Sequence, residues 1–307
     1  MEACNSTEKT FMRDYEMITT LGQGHFAKVK LAIHHDTRTC VAVKILRNTK
    51  KRATLIENEI SIMKSISHPN ILKLLDVVQT QKTTYLLVEV APLGDLMEHI
   101  LLRGSLEESE AWRLFAQIVQ AVQHCQDHYI CHRDITANNV LIDGRGNAKL
   151  SDFGLARHIA PGQKLLGFCG TPLYCAPEVF GAEDYDPFPT DIWSVGVLLF
   201  LMVAGYFPFE ESSFEMLREL IRYGMFTIPQ HVSRNIFNVL VNLLVVNPAR
   251  RPTIDQIMGC LMLRGREAHS LLGTTSPSTG GPLTDKLYEP EEGIQSRGDK
   301  AHIEESY

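Results

Sequence analysis

The stretch ICHRDITANNVLID, residues 130–143, places an aspartate and an asparagine five residues apart in a polar turn between two apolar runs. Asp134 could orient a substrate hydroxyl and accept its proton. Asn139, together with Asp152 in the later segment LSDFGLA, offers the hard oxygen ligands that Mg²⁺ prefers. Because phosphoryl transfer depends mainly on positioning and charge stabilisation, these side chains suit transfer from a Mg²⁺-bound triphosphate.

Lys44 stands in the apolar segment CVAVKILR, so its ammonium group needs a partner or a ligand. The following segment ATLIENEISIMKSI has helical periodicity and places Glu59 on the side that faces the sheet. These two residues could form a purely structural ion pair, or Lys44 could hold the α- and β-phosphates of a nucleotide. The apolar stripe of the predicted helix consists of Leu55, Ile56, Ile60, Met63 and Ile66.

The glycine-containing stretch LGQGHFAKV, residues 21–29, could bring a backbone turn close to phosphate groups. Taken alone it is weak evidence, since Gly22 and Gly24 could be ordinary hairpin glycines. Its position between two predicted strands disfavours a dinucleotide fold, in which a helix would follow. Ala27 replaces a third glycine, and its small side chain still permits a close approach to phosphate.

The order of predicted elements indicates an α+β fold with a β-rich first part and a helical second part. Short β-type runs extend from Tyr15 to about residue 90, interrupted by the one helix that carries Glu59. Next comes a helix whose N-cap is predicted at Ser105, with Glu108 at capping-box spacing. Further predictions are a hairpin over 140–151 and helices over 190–204, 213–223, 233–245 and 253–263.

Composition favours a globular protein of the reducing cytoplasm that binds neither nucleic acid nor a membrane. The chain has 307 residues, 44% hydrophobic residues and a net charge of −6, which argues against a phosphate-backbone partner. Seven cysteines without a CxxC pair favour free thiols over disulfides or zinc ligands. The longest apolar run, VGVLLFLMVAG, is too short to span a bilayer.

The ordered set of glycine loop, VAVK, helical Glu59, HRD with an asparagine five residues on, DFG and APE resembles the eukaryotic protein kinases. The resemblance implies a bilobal fold, ATP and Mg²⁺ in the cleft, protein substrates and a monomeric enzyme. The implied parts are an N-terminal extension (1–14), a kinase domain (15–263) with N-lobe (15–90), hinge (89–94) and C-lobe (95–263), and a disordered tail (264–307).

The resemblance also assigns individual residues. The catalytic set is Asp134 as proton acceptor, Lys44, Glu59, Thr136 and Thr171, and the metal ligands are Asn139 and Asp152. The nucleotide-binding set is Leu21, Gly22, Gln23, Gly24, His25, Phe26, Ala27, Lys28, Val29, Ala42, Lys44, Val88 as gatekeeper, Glu89, Ala91 and Leu141. Structural roles fall to Asp191, which fixes the catalytic loop, and to an ion pair between Glu178 and Arg251.

Other segments resemble particular branches of the family. GTPLYCAPEVF, with Thr171 before a proline, is typical of kinases that phosphorylate Ser and Thr. NEISIMKSISHPNILKL and VNPARRPT resemble the calmodulin-kinase group, near the AMP-activated and microtubule-affinity-regulating kinases. PGQKLLGFCGT and YGMFTIPQHVS most resemble the sperm motility kinases, which implies a role in sperm motility signalling.

Three departures from the family pattern leave a pseudokinase, which binds ATP or partners without efficient catalysis, as the alternative. Thr136 stands where relatives have a lysine that touches the γ-phosphate. The activation segment, residues 153–178, contains no Ser or Thr except Thr171, so either packing holds it or the kinase is activated poorly. Of three acids that recognise basic substrates, only Asp95 is present. The residues expected to pack the segment are Leu165, Leu166 and Phe168, and Asn138 and Leu201 replace the missing acids.

Overall fold

The first part of the chain forms the predicted sheet, and its strands pair antiparallel. The computed structural model describes residues 2–24 and 27–263. The predictions for His25, Phe26 and the tail over 264–307 lie outside the described residues. A helix that the sequence did not predict, α1 (Glu2–Asp14), leads without a gap into the sheet. The strands, in spatial order β1-β2-β3-β5-β4, are β1 (Tyr15–Gln23), β2 (Ala27–His34), β3 (Cys40–Arg47), β4 (Leu74–Gln79) and β5 (Thr83–Val88).

Helix α2 (Ala53–Ser65) packs on one face of this sheet. Its buried residues include Glu59 and Ile62, the latter fully inaccessible to solvent. The predicted stripe was wrong at Leu55, which lies in the first turn of the helix and is 49% exposed, and it omitted the buried Ile62 two turns later. The helix therefore presents a buried carboxylate to the sheet.

The second part of the chain is a helical lobe built around α5 (Phe188–Ala204). Every residue of α5 from Thr190 to Val203 is buried, as expected for a helix that is apolar all round. No helix within the described parts of the chain combines the length and hydropathy needed to cross a membrane. The surrounding helices are α3 (Leu96–Arg103), α4 (Glu108–Asp127), α6 (Phe214–Tyr223), α7 (Arg234–Leu243) and α8 (Ile254–Leu263).

Short strand pairs carry the loops that face the cleft. They are β6 (Ile130–Cys131) with β9 (Arg157–His158), and the predicted hairpin of β7 (Val140–Ile142) with β8 (Ala148–Leu150). The α+β class and the division into a β-rich and a helical lobe are thus confirmed. Helix α3, like α1, was missed by the sequence prediction.

The prediction that Ser105 caps the long helix was wrong. Helix α4 begins at Glu108, with Glu107 at the N-cap and no capping bond from its side chain. The carboxylate of Glu108 instead accepts hydrogen bonds from Ser233 Oγ (2.7 Å) and Trp112 Nε1 (3.2 Å). A tertiary contact with the turn before α7 has therefore replaced the local capping box.

An ion pair buried in the helical lobe joins distant parts of the chain. The Arg251 guanidinium donates to both carboxylate oxygens of Glu178, at 2.6 and 2.7 Å, and lies over the ring of Trp193. It also donates to three backbone carbonyls, those of Val245, Val246 and Pro189. All of its donors are thereby satisfied in a buried setting.

Replacing Arg251 with Met is expected to destabilise the protein by about 3–5 kcal/mol, because Glu178 would remain as an unpaired buried charge. In thermal unfolding this corresponds to a midpoint lower by about 10 °C. The control is Arg250→Met, whose side chain is exposed. Equal midpoints for the two variants would contradict the structural role of the pair.

Candidate active site

A buried carboxylate on α5 fixes the loop that carries Asp134. Asp191 accepts hydrogen bonds from the backbone N–H groups of His132 (2.8 Å) and Arg133 (2.9 Å). Arg133 has φ = +68°, a left-handed conformation that is unfavourable for a residue with a Cβ. The two bonds to Asp191 offset this strain, so the backbone immediately before Asp134 has one defined path.

The side chain of Asp134 is held from two directions. Its Oδ1 accepts hydrogen bonds from Thr171 Oγ1 (2.8 Å) and Thr171 N (3.0 Å), and its Oδ2 accepts one from Asn139 Nδ2 (2.9 Å). Thr171 can approach because Gly170 precedes it at φ = +102°, where a Cβ would lie 2.5 Å from the Arg133 carbonyl oxygen. The structure thus brings three predicted site residues together.

Lys44, Glu59 and Asp152 form a charged cluster across the cleft. Lys44 Nζ lies 2.6 Å from Glu59 Oε1 and 2.9 Å from Asp152 Oδ1. Desolvation favours the neutral amine, but the two carboxylates outweigh it and raise the pKa of Lys44 above its ordinary value. Desolvation also opposes ionisation of Asp152, and the nearby ammonium nevertheless holds the pKa of this carboxyl below its usual range. Lys44 and Asp152 are therefore charged at neutral pH, whereas burial raises the pKa of the Glu59 carboxyl above its ordinary value.

Asn139 and Asp152 offer oxygen atoms that fit a magnesium ion. The amide nitrogen of Asn139 donates to both the backbone oxygen and the carboxylate of Asp134, at 2.9 Å each, which leaves the amide oxygen for another partner. Mg²⁺ commonly uses one or two protein oxygens and takes its other ligands from water and phosphate. Within the described residues no group of three or more His, Cys, Asp or Glu side chains could hold a metal.

The predicted nucleotide-binding residues line neighbouring positions of the sheet and the hinge. In register, Gly22 lies opposite Val29, Val29 opposite Lys44, and Ala42 opposite Val88. Gly24 N closes the turn onto the Ala27 carbonyl (2.9 Å). Near the end of β1, Leu21 is 52% exposed and Gln23 pairs with Lys28 on β2. The side chains of Ala91 and Leu141 are half-buried.

The side chain of the hinge residue Glu89 is engaged in contacts within the protein and does not serve a nucleotide. Its carboxylate pairs with Lys149 Nζ on β8 at 2.9 and 3.1 Å, and also accepts a hydrogen bond from Lys73 N (2.9 Å). Sequence reasoning missed this pair, since a lysine on one strand and a glutamate on another carry no signal of contact. The backbone N–H of Glu89 donates to the Lys73 carbonyl (3.0 Å), so only the carbonyl oxygen of Glu89 is left for binding a ligand.

The comparisons with known proteins agree with this geometry. A family model described as "Protein kinase domain" matches residues 15–260. The chain belongs to the protein kinase family. Among curated proteins it is similar to the serine/threonine-protein kinases SIK1 of Rattus norvegicus (41% identity over 246 residues), SIK1 of Mus musculus (40%) and SIK2 of Gallus gallus (41%). Each match covers 79% of this chain but only 31–32% of the relative, so the chain spans about a third of their length.

Thr136 of this kinase has a structural task that the sequence prediction missed. Its side chain is 3% exposed, and its Oγ1 accepts a hydrogen bond from Asn139 N (3.2 Å) at the start of a short 3₁₀ turn. A threonine three residues before Asn139 is a recognisable N-cap signal. The residue thus helps to place the asparagine but brings no positive charge to the loop.

Packing holds the activation segment, through residues that were only partly predicted. Leu165 is buried and exchanges two backbone hydrogen bonds of 2.9 Å with Tyr185. The ring of Phe168 is 47% exposed, but it contacts those of Phe180 (5.4 Å between centroids) and Phe214 (5.7 Å). The prediction for Leu166 was wrong, since it is 65% exposed, because the backbone pairing of its neighbour turns it outward. Tyr185, Phe180 and Phe214 were missed.

Proposed function

We propose that this kinase transfers the γ-phosphate of ATP to Ser and Thr hydroxyls of protein substrates. The observation that carries the proposal is the double anchoring of Asp134 by Thr171 and Asn139, with contacts of 2.8 and 2.9 Å. A carboxylate held in this way can orient an acceptor hydroxyl and take its proton. The relatives' names, which are those of serine/threonine kinases, also support it.

The other site residues would position the nucleotide. Lys44, kept charged and oriented by Glu59, would bind the α- and β-phosphates. Asn139 and Asp152 would hold Mg²⁺, which neutralises charge on the phosphates when it is bound. The turn between β1 and β2, to which His25 and Phe26 belong, would cover the phosphates, and the hinge backbone with Ala42, Val88, Ala91 and Leu141 would enclose the base.

The wild-type chain is expected to phosphorylate a generic Ser/Thr protein substrate, and Asp152→Asn to reduce the rate by about 10²-fold or more, because a charged metal ligand is lost. Transfer of ³²P from γ-labelled ATP measures this, with Asp36→Asn on an exposed turn as the matched control. A wild-type signal no higher than that of Asp152→Asn would refute the enzyme proposal and favour a pseudokinase.

We further propose that Thr136 slows the transfer. In relatives, a lysine at this position offsets charge on the γ-phosphate, whereas the buried Thr136 hydroxyl is bonded to Asn139 N. Loss of one such charged contact costs about 2–4 kcal/mol in the transition state, or about 10²–10³ in rate. Lys44, Asp134 and Asp152 remain in place, so the proposal is a slow kinase.

Thr136→Lys is accordingly expected to raise kcat by up to about 10²–10³-fold, since it restores the missing charge. Loss of the hydrogen bond from Asn139 N to the Thr136 hydroxyl should destabilise the loop only slightly, because Asn139 N also donates to the Thr136 carbonyl oxygen. Thr136→Val removes the same hydroxyl without adding charge and should not raise kcat. Steady-state rates at saturating ATP decide between them; equal kcat for Thr136→Lys and wild type would contradict the proposal.

The packed activation segment should make activity independent of phosphate on this segment. Treatment of the purified kinase with a Ser/Thr phosphatase is expected to leave its rate unchanged within about twofold. Phe168→Ala should lower the rate, because it removes the ring contacts with Phe180 and Phe214. Leu166→Ala, at an exposed neighbouring position, serves as the control. A large drop after phosphatase treatment would show that a phosphate is required after all.

Substrate choice should depend only weakly on basic residues. Asp95 is occupied, since its Oδ1 accepts a hydrogen bond from Glu98 N (2.8 Å) and its Oδ2 from Asn138 Nδ2 (3.5 Å). Leu201 is buried and uncharged. On a peptide array we expect at most one preferred basic residue together with an apolar residue near the acceptor, and a stronger basic preference for Asn138→Asp. A wild-type motif dominated by two or more arginines would refute this expectation.

The remaining parts of the proposal depend on sequence features. We propose a cytoplasmic, monomeric kinase that binds neither nucleic acid nor a membrane, as the net charge of −6 and the unpaired cysteines suggest. A role in sperm motility signalling is proposed from the segments PGQKLLGFCGT and YGMFTIPQHVS alone.

A further inference from the structure

The outer face of the small-lobe sheet is apolar and covered. Side chains alternate along β3 and β5, so that Ala42 and Leu86 belong to the main core on the α2 side. Their neighbours Val43, Tyr85 and Leu87 face the opposite way and are at most 5% exposed. These outward-facing residues belong to a separate cluster whose buried members, among the residues that the structure describes, are Phe11, Ala32, Val41, Val43, Tyr85 and Leu87. Phe11 comes from α1, so this helix covers a face that would otherwise present apolar side chains to solvent.

Two residues on one side of α1, Glu8 and Phe11, contact Tyr85 of the sheet. Phe11 is 4% exposed and is the only buried residue between positions 8 and 14. Its ring lies 4.9 Å from that of Tyr85 and 5.3 Å from that of Tyr15, between centroids. One turn earlier, Glu8 Oε1 accepts a hydrogen bond of 2.6 Å from Tyr85 Oη. Glu8 and Phe11 are three residues apart, which puts them on the same face of the helix.

The hydrogen bond between Tyr85 and Glu8 persists at neutral pH. Desolvation, followed by the bond to Glu8 and its charge, raises the pKa of Tyr85 to about 12. The phenol therefore stays protonated and remains a donor. A phenol that donates to a carboxylate forms a charge-assisted bond, which is stronger than a neutral one.

The same strands carry the nucleotide site on their other face. Tyr85 pairs in register with Ile45, and the next pair is Leu86 with Lys44. Helix α1 continues directly into β1, whose far end is the glycine turn at Leu21 to Gly24. The junction between α1 and β1 is fixed by a hydrogen bond in which His35 N donates to the Asp14 carbonyl (2.9 Å). Helix α1 thus contacts β5, which pairs with β3, and the start of β1, which leads to the glycine turn.

We propose that Glu8, Phe11 and Tyr85 are positioning residues for the nucleotide site, through which α1 holds Lys44 and the glycine turn in their binding geometry. These contacts reach beyond residues 15–260, the part of the chain that the family model matches. If α1 is released, the sheet loses its cover on one side and β1 loses its fixed start. A nucleotide must then order these strands as it binds, which weakens its affinity.

The experiment compares full-length wild type with Phe11→Ala, Tyr85→Phe and the control Met12→Ala, whose side chain on the same helix is 45% exposed. Titration with ATP and Mg²⁺ gives Kd. We expect Phe11→Ala to raise Kd by about tenfold, the equivalent of about 1.4 kcal/mol, and Met12→Ala to leave it unchanged. Tyr85→Phe keeps the ring and removes only the hydroxyl, so it preserves the fold and should raise Kd by about two- to threefold.

Two further readouts separate positioning from stability alone. The KM for ATP should rise while kcat at saturating ATP stays within about twofold of wild type. Amide hydrogen exchange in β1 and β3 should become faster in Phe11→Ala, whereas exchange in α5 should not. A lower thermal midpoint with unchanged Kd and unchanged exchange in β1 and β3 would overturn the proposal.

This inference relies on nucleotide binding but not on phosphoryl transfer. If wild type failed to bind ATP, that result would count against the proposed function, and hydrogen exchange in β1 and β3 would still decide whether α1 positions these strands. If wild type bound ATP without transferring phosphate, only the catalytic proposal would fail. The two ideas can therefore be refuted separately.

Discussion

The geometry of the site depends on one buried carboxylate, that of Asp191. It holds the backbone N–H groups of His132 and Arg133 at 2.8 and 2.9 Å and so maintains a left-handed residue directly before Asp134. A conformation of this kind persists only when its surroundings over-determine it. Asp191 lies on α5, which is buried from Thr190 to Val203, so the loop that carries Asp134 is anchored in the core of the helical lobe. The buried helix α5 thus fixes the backbone of the loop that lines the cleft.

Ion pairs connect the two lobes at two places. Lys44, on β3, reaches both Glu59 in its own lobe and Asp152 in the other. At the hinge, Glu89 pairs with Lys149 on β8, a few residues before Asp152. Each of these pairs is a charge-assisted hydrogen bond, which keeps its two atoms within about 3 Å of each other, whereas apolar contacts are non-directional. The placement of the strand that carries Lys44 relative to the loop that carries Asp152 is thus constrained by two ion pairs, one at Lys149 within β8 and one at Asp152 just after it.

Much of the fold and of the candidate site could be predicted from the sequence, because their signals are local. Strand alternation, the 3.6-residue period of the long helices and the order of short motifs indicated both lobes and brought Lys44, Asp134 and Asp152 into one site. The features that were missed depend on contacts between distant residues. Glu108 bonds to Ser233 rather than capping its own helix, and Phe168 meets Phe214 across 46 positions of sequence. Helix α1 has a single buried residue between positions 8 and 14, too few to give a periodic signal.

The aromatic contacts of Phe168 have a consequence for how such a kinase would be controlled in a cell. If ring packing and the Leu165–Tyr185 backbone pairing hold the segment, as we propose, it needs no phosphate that a second enzyme would have to add. It would be ready as soon as the chain has folded. The supply of active molecules would then follow the rates of synthesis and degradation, and control by signalling would have to act on substrate access or on the lifetime of the protein.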